Sequence, residues 1–183
     1  MTVLVAYASR HGATAGIAER IAAGLSAAGV PAEAKPVTDV RDVAGYDAFV
    51  VGGAAYMFHW LKPATRFVER HRAVLAERPL WLFSSGPLGT DPVDKDGRDV
   101  FESTRPKEFA ELQTSLHPRG ERIFFGALDA DAPAIGLGEH FLRGDPLNRG
   151  MDWGSGALLA GLFVGLVALS VWLFQRRDLR QVG

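Results

Sequence analysis

Six residues, Ser9-Arg10-His11-Gly12-Ala13-Thr14, stand where a short apolar run ends and an alanine-rich stretch begins. A loop between a strand and a helix N-terminus carries free backbone N–H groups and the positive end of a helix dipole, so it attracts anions. Ser9 and Thr14 add hydroxyl donors, and Gly12 lets the backbone come close to the anion. Arg10 and His11 add positive charge without being required. The chemistry these residues suit is phosphate binding; an ordinary strand-to-helix turn with an N-cap uses the same residue types. No Gly-Lys-Ser/Thr follows the loop and there is no Gly-x-Gly-x-x-Gly, which disfavours a nucleoside triphosphate or a dinucleotide here.

Two further segments have binding chemistry. Gly52-Gly53-Ala54-Ala55-Tyr56-Met57-Phe58-His59-Trp60 combines small residues, over which a flat ligand can lie close to the backbone, with the ring faces of Tyr56, Phe58 and Trp60. The competing explanation is a surface loop whose aromatics pack on neighbouring helices. Ser84-Ser85-Gly86-Pro87-Leu88-Gly89 offers backbone N–H groups to the polar edge of a ring system. His59 can exchange a proton in the second segment, although a surface histidine is the plainer reading.

These segments need elements to hold them. Val3 to Ala8 is a continuous apolar run, as expected of a strand covered on both faces. Ile17, Ile21 and Leu25 mark one face of the helix that follows, which Gly29 ends. Pro31 to Val37 reads as an edge strand because of Pro31 and Pro36. Asp47 to Gly53 is a buried strand running into the second segment. Pro63 can open a helix whose face is Ala64, Phe67, Val68, His71 and Leu75. Pro79 to Ser84 is a fourth strand, and a polar loop follows from Ser85 to Thr104. A loop that long is usually functional or mobile. Phe109, Leu112 and Leu116 mark another helix, and Arg122 to Leu128 a fifth strand. Strands alternating with helices predict a doubly wound parallel sheet with ligands beyond the carboxyl ends of its strands.

The chain has 183 residues and a formal net charge of −1. That balance gives no basic face for nucleic acid. The absence of cysteine rules out disulfides, thiolate metal sites, iron–sulfur clusters and cysteine nucleophiles. Met1 leads straight into the first strand with no basic segment or long apolar stretch of a signal peptide, so the N-terminal domain is expected in the cytoplasm.

Taken in order, the motifs resemble the flavodoxin superfamily and, within it, the menaquinone-dependent protoporphyrinogen oxidase type. Tyr7-Ala8-Ser9-Arg10-His11-Gly12-Ala13-Thr14 is similar to that family's phosphate loop, Tyr-Ser-Thr-Arg-Asp-Gly-x-Thr, with His11 in place of an acid. Val51-Gly52-Gly53-Ala54-Ala55-Tyr56 resembles the segment covering the flavin ring, and Phe67-Val68-Glu69-Arg70-His71 the helix behind it. Arg122-Ile123-Phe124-Phe125-Gly126-Ala127-Leu128 resembles the last strand, which commonly reads Phe-x-Gly-Ala-Leu. The resemblance implies a flavodoxin-like α/β fold, a doubly wound five-stranded parallel sheet in the order 2-1-3-4-5, over residues 1–153. It implies FMN as cofactor, held by Ser9, Arg10, His11, Gly12, Ala13 and Thr14, by Ala54, Ala55, Tyr56, Met57 and Phe58, and by Ser84, Ser85, Gly86 and Pro87. Because the family has an acid where His11 stands, Thr14 is expected to matter more than His11 to the phosphate.

The likeness stops near Asp152-Trp153. From Gly156 to Phe174 about 19 residues carry no charge and only Ser170 as a polar side chain, close to the ~20 residues a membrane-spanning helix needs. Residues 154–183 are therefore expected to be a hydrophobic C-terminal helix, transmembrane or membrane-associated, with a basic tail. A final helix packed on the sheet is the competing account, but such a helix should keep a polar outer face. Gly161 and Gly165 form a Gly-x-x-x-Gly pair that can bring two such helices together as a homodimer, a pattern also met by chance in glycine-rich helices. Arg176, Arg177 and Arg180 favour a cytoplasmic C-terminus, as does the resemblance of Val171 to Leu179 to the last helix of some ABC transporter permeases; a cytoplasmic FMN domain asks for the opposite.

The function the resemblance implies is an FMN-dependent oxidoreductase at the cell membrane, with its FMN domain in the cytoplasm. It would pass electrons from a small-molecule or protein donor, such as protoporphyrinogen IX in heme biosynthesis, to a membrane quinone such as menaquinone. The alternatives are a membrane-tethered electron carrier for a protein partner and an interaction module without FMN. The sequence singles out no catalytic side chain, and no metal site is expected.

Overall fold

A computed structural model of the protein describes residues 1–88 and 91–126. The central strands are β1 (Val3–Ala8) and, further on, the nine-residue β3 (Ala48–Tyr56); between them lie α1 (Ala13–Ala27) and β2 (Ala32–Pro36). After β3 come β4 (His59–Trp60), α2 (Lys62–Arg70) and α3 (Arg72–Glu77). Then follow β5 (Leu80–Leu88), α4 (Val100–Ser103), α5 (Glu108–Leu116) and β6 (Gly120–Gly126).

The sheet runs β2-β1-β3-β5-β6 with every neighbour parallel, and β4 pairs antiparallel with the end of β3. The α/β parallel architecture is the expected one; β4 is an added strand. Alternation explains the apolar runs. In β1 Leu4 and Ala6 face one way, among Phe49, Val51 and Leu82 and beneath Phe67, Val68, Leu75 and Phe109. Val3 and Val5 face the other way, with Val50, Trp81 and Phe83, beneath Ile17, Ile21 and Leu25 of α1. Both faces are covered, so no polar alternation is needed. Burial of Phe49, Phe83 and Phe109, all 0% exposed, contributes about 1.5–3 kcal/mol each by area. The half-buried β2 is at the edge, where its prolines fit.

Four sequence expectations change. The segment from Gly52 to Trp60 is not a loop: β3 continues through Tyr56 and turns over Met57-Phe58 into β4. β5 does not stop at Ser84 but continues through Ser85, Gly86 and Pro87 to Leu88, because Ser84 and Ser85 pair with Ile123 and Phe124 of β6. Pro87, which has no N–H to give, lies within the register shift between Ser85 and Leu88. The polar stretch up to Thr104 contains α4, capped by the Asp99 carboxylate, which accepts from the Phe101 and Glu102 N–H groups. The helix from Pro63 onward is two helices that meet at His71. Among the described residues no helix is long and apolar enough to cross a membrane. The expected tail helix, the 154–183 segment and the Gly161/Gly165 pair lie outside the described residues.

His71 is expected to make the α2–α3 junction sensitive to pH. Its Nε2 is buried with no hydrogen-bond partner among the described residues, and its ring lies 4.8 Å from that of Phe67. Burial lowers its pKa, the Arg70 charge lowers it further, and Asp42 opposes them. A depressed histidine favours the neutral form in the folded state. Its contribution is therefore complete above the unfolded value near ~6.5 and is lost as the pH falls through the folded value. The urea midpoint is expected to fall between pH 7.5 and 5.5 by more in the wild type than in His71→Phe. Equal falls would show that the ring takes up its proton without cost.

Candidate functional site

The three segments singled out from the sequence end adjacent parallel strands, β1, β3 and β5, at their carboxyl ends. The sheet reverses its order about β1, since β2 was added on one side and β3 on the other; a crevice at such a point is where doubly wound sheets bind ligands.

In the first segment Gly12 is the N-cap of α1 with φ 87°, a left-handed conformation that a side chain resists. The Ser9 Oγ accepts from the Gly12 N–H at 3.1 Å, which rounds the loop. Among the described residues no side chain caps α1, and its first turn has no acidic residue, so its positive end is left for an anion. The His11 Nε2 is buried without a hydrogen-bond partner among the described residues. A phosphate supplies the acceptors such a loop lacks, so the donor set fits that group.

Two contacts tie this loop to the others. The Arg10 guanidinium carbon lies 5.2 Å from the centre of the Tyr56 ring, a cation–π distance. Burial raises the Tyr56 pKa, and the Arg10 charge opposes the rise. The Thr14 and Ser85 hydroxyls share a 2.7 Å hydrogen bond in the interior, where Thr14 is 1% exposed. Ser84 donates to the Gly53 carbonyl at 3.1 Å, joining β5 to β3. At Gly86 a Cβ would lie 3.2 Å from the Ala55 Cβ, so the second and third segments touch at backbone level. The Ser84 and Ser85 hydroxyls thus hold the segments together.

The second segment is a tight hairpin. Met57 and Phe58 have φ 51° and 64°, and both side chains are exposed at the tip. Trp60 is not a free ring face. It is buried, donates from Nε1 to the Gly53 carbonyl at 3.0 Å and meets Phe109 edge-on at 5.0 Å. His59 Nδ1 is 2.9 Å from Glu108, whose other oxygen accepts from the Trp60 N–H at 3.1 Å. Burial raises the Glu108 pKa, but the bonds from Trp60 and His59 outweigh it and hold the carboxyl below its usual range. Sequence reasoning missed Glu108 and Lys107, whose N–H reaches the Phe58 carbonyl at 3.0 Å. A cavity of about 320 Å³ lies at the carboxyl ends of β1 and β2, against Tyr7, Ser9, Gly12, Thr38, Leu61 and Pro63. It adjoins the first segment, not the second or third. Among the described residues no cluster of His, Asp or Glu could hold a metal ion.

A family model described as "Flavodoxin domain" matches residues 4–133. The chain belongs to the flavodoxin domain family. Solved structures agree on the flavodoxin fold. A flavodoxin from the domain Archaea is 20% identical with a TM-score of 0.51, over 70% of this chain and 87% of that one. A cysteine-to-serine variant of the Pseudomonas aeruginosa flavodoxin is 22% identical with a TM-score of 0.51, over 68% of this chain and 84% of the other. Rubredoxin:oxygen oxidoreductase from Desulfovibrio gigas is 13% identical with a TM-score of 0.51, over 67% of this chain but 30% of that chain. No curated protein matches. Membership of the flavodoxin domain family points to a flavin-dependent redox role.

Thr14 allows a test within this flavodoxin domain. Thr14→Val leaves the Ser85 hydroxyl, 3% exposed, without its partner, at an expected stability cost of about 1–3 kcal/mol. Ser85→Ala in the same chain should return much of that loss. A urea double-mutant cycle with no coupling between the two positions would mean that the hydroxyl pair contributes nothing.

Proposed function

We propose that this chain binds FMN across the carboxyl ends of β1, β3 and β5 and works as an FMN-dependent oxidoreductase. The observation that carries the reading is the first segment: a left-handed Gly12, an α1 N-terminus without a side-chain cap and a buried His11 Nε2 without a hydrogen-bond partner, both among the described residues. Ser9 to Thr14 would hold the phosphate. Ala54 to Phe58 and Ser84 to Pro87 would lie along the ring, with the exposed Phe58 face among the contacts. FMN supplies the redox chemistry when bound; the protein sets its position, its potential and its access to water. Arg10 over Tyr56 closes the gap between the phosphate end and the ring end.

The finer reading rests on the sequence resemblance: oxidation of protoporphyrinogen IX with a membrane quinone such as menaquinone as acceptor, on a domain held at the cell membrane by the apolar tail. A tethered electron carrier for a protein partner is the second reading, favoured by the fold likeness to flavodoxins. Against it stands the net charge of −1, which gives little electrostatic steering toward a partner. Anaerobic turnover of protoporphyrinogen with a menaquinone analogue separates the two: turnover supports the oxidase, and an FMN-loaded protein without turnover supports the carrier. Failure to retain any flavin after incubation with excess FMN would leave the interaction module.

A further inference from the structure

We infer that Glu108, at the start of α5, is a positioning residue that fixes the Tyr56–Phe58 tip in its ligand-facing shape; the inference rests on the reading that this tip flanks FMN. The turn is unusual in its chemistry. A two-residue hairpin turn with both residues at positive φ normally uses Asn and Gly. Here Met57 and Phe58 occupy those positions at φ 51° and 64°. Their side chains do not hold the turn in place, because Met57 is 84% exposed and Phe58 48%. Residues in such conformations persist only where the surroundings over-determine them.

The surroundings that do so come from one short segment. One Glu108 oxygen meets His59 Nδ1 at 2.9 Å and the other accepts from the Trp60 N–H at 3.1 Å, so the carboxylate grips both residues of β4. The Lys107 N–H donates to the Phe58 carbonyl at 3.0 Å. Below them Phe109 is wedged edge-on against the buried Trp60. Three successive residues thus hold the turn, the strand after it and that strand's buried aromatic. None of the three belongs to the segments that meet at the carboxyl ends of β1, β3 and β5. Their effect on a ligand is therefore exerted through the hairpin: they keep the Phe58 face outward and hold Tyr56 beneath Arg10.

The test uses the full chain, titrated with FMN and followed by amide hydrogen exchange in its flavin-free form. Glu108→Ala is expected to speed exchange of the Trp60 amide about tenfold or more, as loss of a charge-assisted hydrogen bond implies, and to weaken FMN by about tenfold. Glu108→Gln keeps an acceptor for Trp60 and should fall between Glu108→Ala and the wild type in both measurements. Lys107→Pro is the second, independent variant. Lys107 has φ −60°, which a proline ring accepts, so the substitution removes the bond to Phe58 and leaves Glu108 in place. It too should weaken FMN. Wild-type FMN affinity in Glu108→Ala and Lys107→Pro, with the wild type binding FMN, would overturn this inference alone. A wild-type chain that takes up no FMN would overturn the functional reading itself, and exchange at Trp60 would still report whether the clamp exists.

Discussion

Gly52→Val is expected to yield no folded domain, and Gly52→Ala to lose about 3 kcal/mol or more, the upper end of what overpacking a core costs. Gly52 sits opposite Phe83 on adjacent parallel strands, with both positions on the same face. A Cβ at Gly52 would lie 2.0 Å from two atoms of the Phe83 ring and 2.4 Å from a third. No real contact is that short, so the ring must move. Phe83 is 0% exposed, is flanked by the Phe124 ring at 6.2 Å and belongs to the cluster beneath α1. Its ring has no solvent to swing into. The backbone cannot give way either, since β3 is bonded to β1 on one side and β5 on the other. Phe83→Ala alone opens a cavity and should cost about 3–5 kcal/mol. Together, however, the two alanines share one volume, so Gly52→Ala/Phe83→Ala should be more stable than the sum of the single losses. Urea unfolding of the four proteins measures that coupling. A Gly52→Ala protein with the wild-type midpoint would show that the ring moves aside without cost.

The residues that define this packing differ in how readily they could be read from the sequence. Val3 to Ala8 and Phe49 to Val51 announce buried strands because burial on both faces leaves no room for polar alternation. Ile17, Ile21 and Leu25 announce the inner face of α1 by their spacing alone. Such signals are local. Ser84 and Ser85 give the opposite signal: hydroxyl residues suggest a loop, yet each finds a partner across the sheet, at Gly53 and Thr14, and the strand runs on. The β3–β4 hairpin was hidden because Met57-Phe58 lacks the glycine or asparagine that normally marks such a turn. Glu108 was hidden more deeply, as its bond to Trp60 spans 48 residues. His71 continues the apolar face of α2 and so concealed the break between two helices. The loop from Ser9 to Thr14 was legible because a single turn of backbone between a strand and a helix sets its shape. The ends of β3 and β5 were less so, because they rest on contacts between distant segments.

The largest change in physical state is expected at the C-terminal tail. The full chain should sediment with membranes, and a chain ending at Asp152 should stay in the supernatant and still take up FMN. The run from Gly156 to Phe174 carries no charge and only Ser170 as a polar side chain. At 1.5 Å per residue it reaches about 28 Å as a helix, close to the ~30 Å hydrocarbon layer. Its side chains gain about 25 cal/mol for each Å² of apolar surface withdrawn from water, and that gain can be taken in lipid or against the sheet. The sheet gives the second choice a definite consequence. The face made of Val3, Val5, Val50, Trp81, Phe83 and Phe124 has α1 as its one helix among the described residues, and Trp81 and Phe124 lie on the strands furthest from β2. A tail taken from that face would leave two large rings to water. Truncation would then lower the urea midpoint steeply and impair FMN uptake, even though the residues that end β1, β3 and β5 are unchanged. A tail taken from lipid would leave the midpoint of the truncated domain close to that of the full chain in detergent. Recovery of the full chain in the supernatant without detergent, together with an unstable truncated form, would assign the tail to the sheet and remove the membrane from the proposal. Sedimentation of the full chain with a stable, FMN-binding truncated form would keep the membrane in the proposal.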